Sequence, residues 1–323
     1  MSDIWPDNLV EELAYRRCLI FLGSGISATA KNDAGESPDT WGAFLDNVKS
    51  KMKNPSEDDK KFVEDMLKKQ NYLLALQAIA DLCDSGEYSN YLKNQYLRGK
   101  YKPSKVHELI KDLDSKIVVT TNFDKLYEGL CHAPEYVTFD YTNTRSIIGS
   151  IKAPENIIIK AHGSIDDTEK LIFTAKQYYQ AQEQYPEFYH LMTALFLTHT
   201  VVFLGYSLND PDINLLLQFL HNTANTSCPH YMIDKKENKP QLVKHWKDTY
   251  NVSLLEYGDD YSCLESSLEE LRDLVFDLRQ REECLDNTMI TKFPKTTWTQ
   301  RKIWILSHKS HKKSPFAHRN TPV

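Results

Sequence analysis

The sequence predicts an α/β fold built on a mostly parallel sheet with helices on both faces. Short apolar runs recur along the chain, and stretches with helical spacing of apolar residues separate them. Most of the runs lack the polar alternation of a half-exposed sheet, so we expect strands that are covered on both faces. Six strands are predicted, at Cys18–Leu22, Ile117–Thr121, Ile157–Ala161, Thr200–Leu204, Tyr231–Ile233 and Ser253–Glu256.

Helical spacing is clearest in two segments between these strands. Residues 41–98 carry apolar side chains three and four positions apart and predict a small helical insertion layer beside the sheet. A second helical stretch is predicted over 174–197, where aromatic residues are dense. Ser104 is the predicted N-cap of the helix that leads into the second strand.

Composition and cysteine spacing exclude several classes of protein. The chain has 323 residues, 41% of them hydrophobic and 26% charged, which is enough apolar mass for a packed core. Neither a membrane-spanning run nor a signal-peptide pattern occurs, so we expect a cytoplasmic protein that makes no membrane contact. The six cysteines form no CxxC pair and no Cys/His pair at zinc spacing, and no metal site is predicted.

The net charge of −6 is an average over two unlike parts of the chain. Residues 285–323 hold eight Lys and Arg and one acidic residue, which leaves 31 basic and 44 acidic residues in 1–284. We therefore predict an acidic domain over 1–284 and a basic C-terminal tail over 285–323. The tail also carries Phe and Trp, so we expect it to serve assembly or partner binding; direct binding of nucleic acid is not expected.

Polar and glycine residues follow four of the predicted strands, at the carboxyl ends where ligands bind to an open parallel sheet. The four segments read GSGIS from Gly23, TTNFD from Thr120, KAHGS from Lys160 and GYSLND from Gly205. The glycines of the first would let backbone amides approach a phosphate, although a plain turn explains them equally well.

The other three segments carry the polar side chains. Asn122 and Asp124 either cap the following helix or face the ribose and the polar end of a ligand. His162 ends a buried strand before a glycine and is suited to proton transfer near neutral pH. Gly205 and Ser207 could receive a ribose or an adenine.

The ordered set of four segments resembles the sirtuin (SIR2) domain, and most closely the SIR2-like proteins of bacterial anti-phage defence. The resemblance spans about residues 13–280 and implies a Rossmann-like fold that binds NAD+ as its substrate. It implies that Asn122 and His162 are the catalytic residues and that Asp124 lies near the nicotinamide carboxamide. The cofactor-binding residues that it implies are Gly23, Ser24, Gly25, Ile26, Ser27, Thr121, Asp124, Gly205, Tyr206 and Ser207.

Two departures from the deacylases of this family bear on the reaction. Residues 165–200 contain no cysteine, so the four-cysteine zinc module is missing, and Pro38 and Trp41 resemble the Pro-x-x-Trp pattern of SIR2-like NADases. The resemblance therefore implies hydrolysis of NAD+ to nicotinamide and ADP-ribose, as the NAD-depleting effector of an abortive-infection system. Asn122 would position the water and the ribose, and His162 would take the proton.

Two other functions remain open from the sequence. The same pocket could serve an NAD-dependent protein deacylase or ADP-ribosyltransferase, or a non-catalytic sensor of NAD or ADP-ribose. Unrestrained NAD+ hydrolysis would kill the host, so control by self-assembly or a partner is implied. We expect a homo-oligomer with a separate partner protein, such as an ATPase, an argonaute-like protein or a nucleotide-processing enzyme.

Overall fold

A computed structural model describes residues 4–39, 41–69, 71–206, 229–236 and 239–292 of the chain. Its centre is one parallel sheet, whose strands are β1 Cys18–Leu22, β2 Ile117–Thr120, β3 Tyr136–Asp140, β4 Asn156–Lys160, β5 Thr200–Leu204, β6 His230–Asp234 and β7 Val252–Glu256. The seven strands lie in the order β3-β4-β2-β1-β5-β6-β7. The predicted α/β fold with a parallel sheet is confirmed.

The strands at the centre of the sheet are buried along their whole length. Every residue of β1, β2, β4 and β5 is buried, on both faces of the pleat. Leu19 and Phe21 belong to a core cluster that includes helix residues covering one face, while Ile20 and Leu22 point to the opposite face. This two-sided burial explains why these segments read as continuous apolar runs.

Strand β3 was not among the predicted strands, because it lies at an edge of the sheet. Its sequence is YVTFD, in which Tyr136 is buried, Thr138 is exposed and the other residues are partly buried. An edge strand pairs with one neighbour and faces solvent in part, so it does not need the unbroken apolar run that marks the central strands.

Four helices and one π-helical turn form the helical insertion between β1 and β2. Their bounds are Trp41–Lys49, Glu57–Lys68, Tyr72–Leu82, Ser85–Lys93 and, for the π-helical turn, Asn94–Arg98. Phe44 and Leu76 of the insertion share a buried cluster with Phe123 and Phe173, and the Phe44 and Phe173 rings stack with centroids 5.2 Å apart. The insertion therefore packs against the loop that follows β2.

The remaining helices complete the layers around the sheet. Numbered in chain order with the four insertion helices as α3 to α6, they are α1 Asp7–Ala14, α2 Ser24–Ser27, α7 Lys105–Asp112, α8 Thr144–Ile151, α9 Ala175–Gln184, α10 Pro186–Thr198, α11 Pro240–Tyr250 and α12 Cys263–Lys292. The predicted helical stretch at 174–197 is thus two helices, because Pro186 occupies the first turn of α10. Ser104 precedes α7, and the backbone N–H of Ser104 donates to His107 Nδ1 across 3.1 Å.

The chain divides into two units, residues 1–275 and 276–323. No helix in the described part of the chain has the length and apolar character that crossing a bilayer requires. Most of the predicted basic tail, residues 293–323, lies outside the described residues.

Candidate active site

The four polar segments meet at one edge of the sheet because the central strands end in register. Leu22 pairs with Thr120 on one side and with Leu204 on the other, and Thr120 pairs with Lys160. The residues two positions further on, among them Asn122 and His162, therefore follow the carboxyl ends of neighbouring strands. The predicted juxtaposition of the segments is what parallel pairing in this register produces.

The amide group of Asn122 is held by two hydrogen bonds that fix its orientation. Asn122 Nδ2 donates to the carbonyl oxygen of Gly23 and to Ser27 Oγ, each across 2.9 Å. Both N–H groups are thereby used, because a side-chain amide has two. The carbonyl oxygen Oδ1 accepts no hydrogen bond from the described residues and is left to accept one from a ligand or a water.

Ser27 links Asn122 to Asp124 through a directed chain of hydrogen bonds. Ser27 Oγ accepts from Asn122 and donates to Asp124 Oδ2 across 2.6 Å. The other carboxylate oxygen, Asp124 Oδ1, accepts from the backbone N–H of Leu126 across 2.9 Å, and the residue is only 6% exposed. A buried carboxylate with both oxygens engaged is a rigid anchor for the side chains that point toward it.

Glycines allow the loops after β1 and β5 to interlock. Gly205 has φ of +76°, and a Cβ built on it would lie 2.6 Å from the backbone nitrogen of Ile26. A Cβ on Gly23 would likewise meet the carbonyl oxygen of Gly205 at 2.6 Å. The N–H of Gly25 donates to that same oxygen across 2.9 Å. These glycines are therefore required for the close approach of the two loops.

Tyr206 braces the same pair of loops from inside the protein. The residue is buried, its ring packs 5.8 Å from that of Phe21, and its hydroxyl donates to the carbonyl oxygen of Leu22 across 3.2 Å. The hydroxyl groups of Tyr206 and Thr121 lie 2.7 Å apart. Ser207, the last of the predicted cofactor-binding residues, lies outside the described residues.

His162 is buried at the end of β4, and its residue is 8% exposed. Its imidazole makes no hydrogen bond to the residues that the structure describes, and burial lowers its pKa to about 4. The ring is therefore neutral at pH 7 and can accept a proton. Gly163 follows with φ of +83°, and the carbonyl oxygen of His162 accepts from the N–H of Ile172 across 3.1 Å, so the backbone around the ring is fixed.

A small cleft of about 40 Å³ lies between the loops and the helical insertion. The described residues that line it are Ser24, Ser27, Pro38, Asp39, Phe44, Tyr96, Thr121, Asn122, Phe123 and Asp124. Five of the predicted site residues are thus brought together, and the described lining does not include His162. Phe44 and Tyr96 were missed, because helical spacing predicts that such residues are buried but not against which loop.

Asp39 is a further lining residue that the sequence analysis did not assign. Its Oδ2 accepts from the Tyr91 hydroxyl and from Asn47 Nδ2, each across 2.9 Å, while no bond from the described residues reaches its Oδ1. The described lining holds the carboxylates of Asp39 and Asp124 but no Lys or Arg. By Coulomb's law, such a cleft favours the cationic end of a ligand.

The described part of the chain contains no cluster of metal-binding side chains. No group of three or more His, Cys, Asp or Glu among these residues could hold a metal ion. What the described residues offer is an oriented amide oxygen, a neutral buried imidazole and carboxylates, which suit the placing of a water molecule and the removal of its proton.

Part of the chain matches the model of a protein family. Residues 116–255 match the family model of the SIR2-like domain. The matched segment contains the loops after β2, β4 and β5, and hence Asn122, Asp124, His162 and Gly205. The GSGIS segment after β1 precedes it.

Curated relatives with similar sequences include a defense-associated sirtuin and two NAD+ hydrolases. Defense-associated sirtuin 2 of Bacillus subtilis is 28% identical over 126 residues, 38% of this chain and 12% of the relative. NAD(+) hydrolase ThsA of Enterococcus faecium is 28% identical over 145 residues, 43% of this chain and 30% of the relative. NAD(+) hydrolase ThsA of Acinetobacter baumannii is 26% identical over 156 residues, 47% of this chain and 32% of the relative. The matches thus span less than a third of these relatives' own lengths.

Solved structures with a similar arrangement include Sir2 homologues bound to nucleotides. A mutant Sir2 homologue in complex with ADP-ribose has a TM-score of 0.46 and 13% identity, covering 85% of this chain and 98% of that one. A Sir2 homologue in complex with NAD has a TM-score of 0.44 and 14% identity, covering 85% and 95%.

Proposed function

Because this chain carries a SIR2-like domain at residues 116–255, we propose that it hydrolyses NAD+ to nicotinamide and ADP-ribose. The observation that carries the proposal is the oriented amide of Asn122, which lines the cleft and whose Oδ1 accepts no hydrogen bond from the described part of the chain. Relatives named as NAD+ hydrolases and as a defence-associated sirtuin support it.

The proposed reaction breaks the bond between the ribose C1′ and the nicotinamide nitrogen. The bonding electron pair leaves with nicotinamide, which is a cation in NAD+ and departs as a neutral molecule, so no strong acid is needed. Water adds to the oxocarbenium-like C1′ and loses a proton. The protein must therefore hold the water, favour the positive charge on the sugar and accept one proton.

The described residues supply these needs in the following way. Asn122 Oδ1 accepts from the attacking water or from a ribose hydroxyl, held in place by Gly23 and Ser27. His162 is neutral and takes the proton, directly or through the ribose hydroxyls. The carboxylates of Asp39 and Asp124 favour the positive charge that the substrate carries and the transition state retains. A positioned base contributes on the order of 10² to 10⁴ in rate.

The proposed biological role is the NAD-depleting effector of an anti-phage defence system in the cytoplasm. We propose that a homo-oligomer and a separate partner protein hold the enzyme inactive until infection. The described lining of the cleft does not include His162, which supports control by a conformational step that brings this residue to the substrate.

Product analysis of the purified chain tests the proposal. NAD+ is incubated with the protein alone and with the product of a neighbouring reading frame, and nicotinamide, ADP-ribose and acylated ADP-ribose are separated by chromatography. Release of equal amounts of nicotinamide and ADP-ribose supports hydrolysis. Formation of O-acyl-ADP-ribose with an acylated peptide would indicate a deacylase, and binding without turnover under both conditions would indicate a sensor.

Two variants test the assigned residues against matched controls. Asn122→Ala and His162→Ala should abolish turnover with the fold intact, as judged by circular dichroism. Asn90→Ala and His132→Ala replace the same residue types at exposed positions of the described chain and should retain the parent rate. Hydrolysis by His162→Ala at the parent rate would remove that residue from the mechanism.

A further inference from the structure

Lys160 is a buried cation at the start of the segment that carries His162, and its side chain contacts the segment that carries Asn122. It is the last residue of β4, it is 1% exposed, and it pairs in register with Thr120 of β2. His162 follows it by two positions and Asn122 follows Thr120 by two. Burying an ammonium group costs free energy of folding unless it is paired and hydrogen-bonded, so the groups that contact Lys160 are expected to compensate its charge.

Two oxygen atoms of the loop after β2 contact the Lys160 ammonium group. Lys160 Nζ lies 2.5 Å from Glu128 Oε1 and donates to the backbone carbonyl oxygen of Asp124. Both side chains of the ion pair are removed from solvent, with side-chain exposures of 2% and 11%. Burial raises the pKa of Glu128, and the charge of Lys160 opposes that rise.

These contacts join β4 to the hydrogen-bonded chain that orients Asn122. Lys160 holds the carbonyl group of Asp124, the carboxylate of Asp124 accepts from Ser27, and Ser27 accepts from Asn122. The backbone that carries His162 and the side chain that orients Asn122 are thereby connected through one ammonium group. A displacement of about 1 Å in such an arrangement can cost on the order of 100-fold in rate.

We propose that Lys160, paired with Glu128, is a positioning residue that sets the place of Asn122 relative to His162. The proposal rests on the proposed hydrolysis of NAD+ and adds to it a residue that acts through Asp124 rather than on the substrate. It assigns a function to the first residue of the KAHGS segment.

Steady-state kinetics separate positioning from a general contribution to stability. Lys160→Met should lower kcat about 10- to 100-fold and change KM for NAD+ less than about threefold. Glu128→Gln keeps an oxygen that can accept from the ammonium group, so its kcat should fall less than about tenfold. A double variant that combines Lys160→Met with Glu128→Gln should lose no more than Lys160→Met alone, because the pair acts as a unit.

Lys125→Met is the matched control in the same loop. Lys125 pairs with Asp166 across 2.8 Å, but both side chains are about half exposed, at 51% and 53%. This variant should keep the kcat of the parent. Unchanged kcat in a folded Lys160→Met protein, or losses at Lys160 and Glu128 that simply multiply in the double variant, would overturn the proposal.

Hydrogen–deuterium exchange tests, independently of NAD+ turnover, whether Lys160 orders the loop after β2. In Lys160→Met, peptides covering 121–128 should exchange at least about tenfold faster, while peptides covering β1 keep the parent rate. If the parent fails to hydrolyse NAD+ even with its partner, the proposed function fails. The exchange measurement still tests whether Lys160 holds the loop after β2 in place. Unchanged exchange at 121–128 would refute that role. If Lys160→Met does not fold, Glu128→Gln and the double variant are measured in the same way.

Discussion

The buried imidazole of His162 determines how NAD+ hydrolysis should respond to acid. Burial lowers its pKa to about 4, against about 6.5 for a histidine in solvent. At pH 5.5 the ring is then about 97% neutral, whereas an exposed histidine would be only about 9% neutral. If His162 is the base, activity is full above its pKa and is lost as the pH falls through about 4. We expect kcat/KM at pH 5.5 to remain above about 90% of its value at pH 7.5.

The measurement follows kcat/KM, because this quantity reports the pKa of groups in the free enzyme. Nicotinamide release is quantified by chromatography between pH 5 and 8 at constant ionic strength. Circular dichroism at each pH, and recovery of activity on return to pH 7.5, establish that the protein stays folded.

A loss of half of kcat/KM near pH 6.5 in the folded protein would refute the reasoning. It would mean that the essential base titrates like a solvent-exposed histidine, and hence that the base is another residue or that the cleft hydrates the ring before NAD+ binds. A roughly tenfold fall between pH 7.5 and 5.5 is therefore the outcome that distinguishes the two cases.

Two further substitutions test the geometry of the site. Gly205→Ala should lower the free energy of unfolding by at least about 1 kcal/mol, because of its left-handed backbone and the contact with Ile26, whereas Gly149→Ala, at an open helical position, should not lower it. Equal urea midpoints for both variants and the parent would contradict the interlocked loops. Asp39→Asn should lower the ratio of Ki for NADH to KM for NAD+ about 3- to 10-fold, since NADH lacks the pyridinium charge. The exposed Asp46→Asn is its control, and an unchanged ratio would exclude a charge-reading role.

The fold could be predicted from sequence because a strand that is buried on both faces has a continuous run of apolar residues. The central strands have uninterrupted apolar interiors, and the polar segments begin at the last residue of the strand or directly after it. The edge strand β3 has no such run, since one neighbour and partial exposure impose a weaker constraint on its residues. Six of the seven strands were accordingly predicted, whereas both strand ends match only for β1 and β5, and every predicted end that differs from the structure does so by one residue.

The composition of the site could be predicted only in part. Asn122 and His162 stand out because polar residues at the ends of buried strands need a reason to be there. Asp39 lies just before the insertion and Phe44 lies within it, and which loop such a segment packs against depends on tertiary contacts that local patterns do not encode. The buried ion pair of Lys160 joins residues that are 32 positions apart in sequence and was likewise not predicted.

The central strands end in one shared register, at Leu22, Thr120, Lys160 and Leu204. The length of each strand therefore determines where its polar segment lies relative to the others. One extra residue in β2 would carry Asn122 about 3.3 Å along the strand direction and turn its side chain toward the other face of the sheet. The connections between strands are under no such restriction. The chain can therefore hold some 90 residues between β1 and β2, including the whole helical insertion, and still bring its four polar segments to one edge.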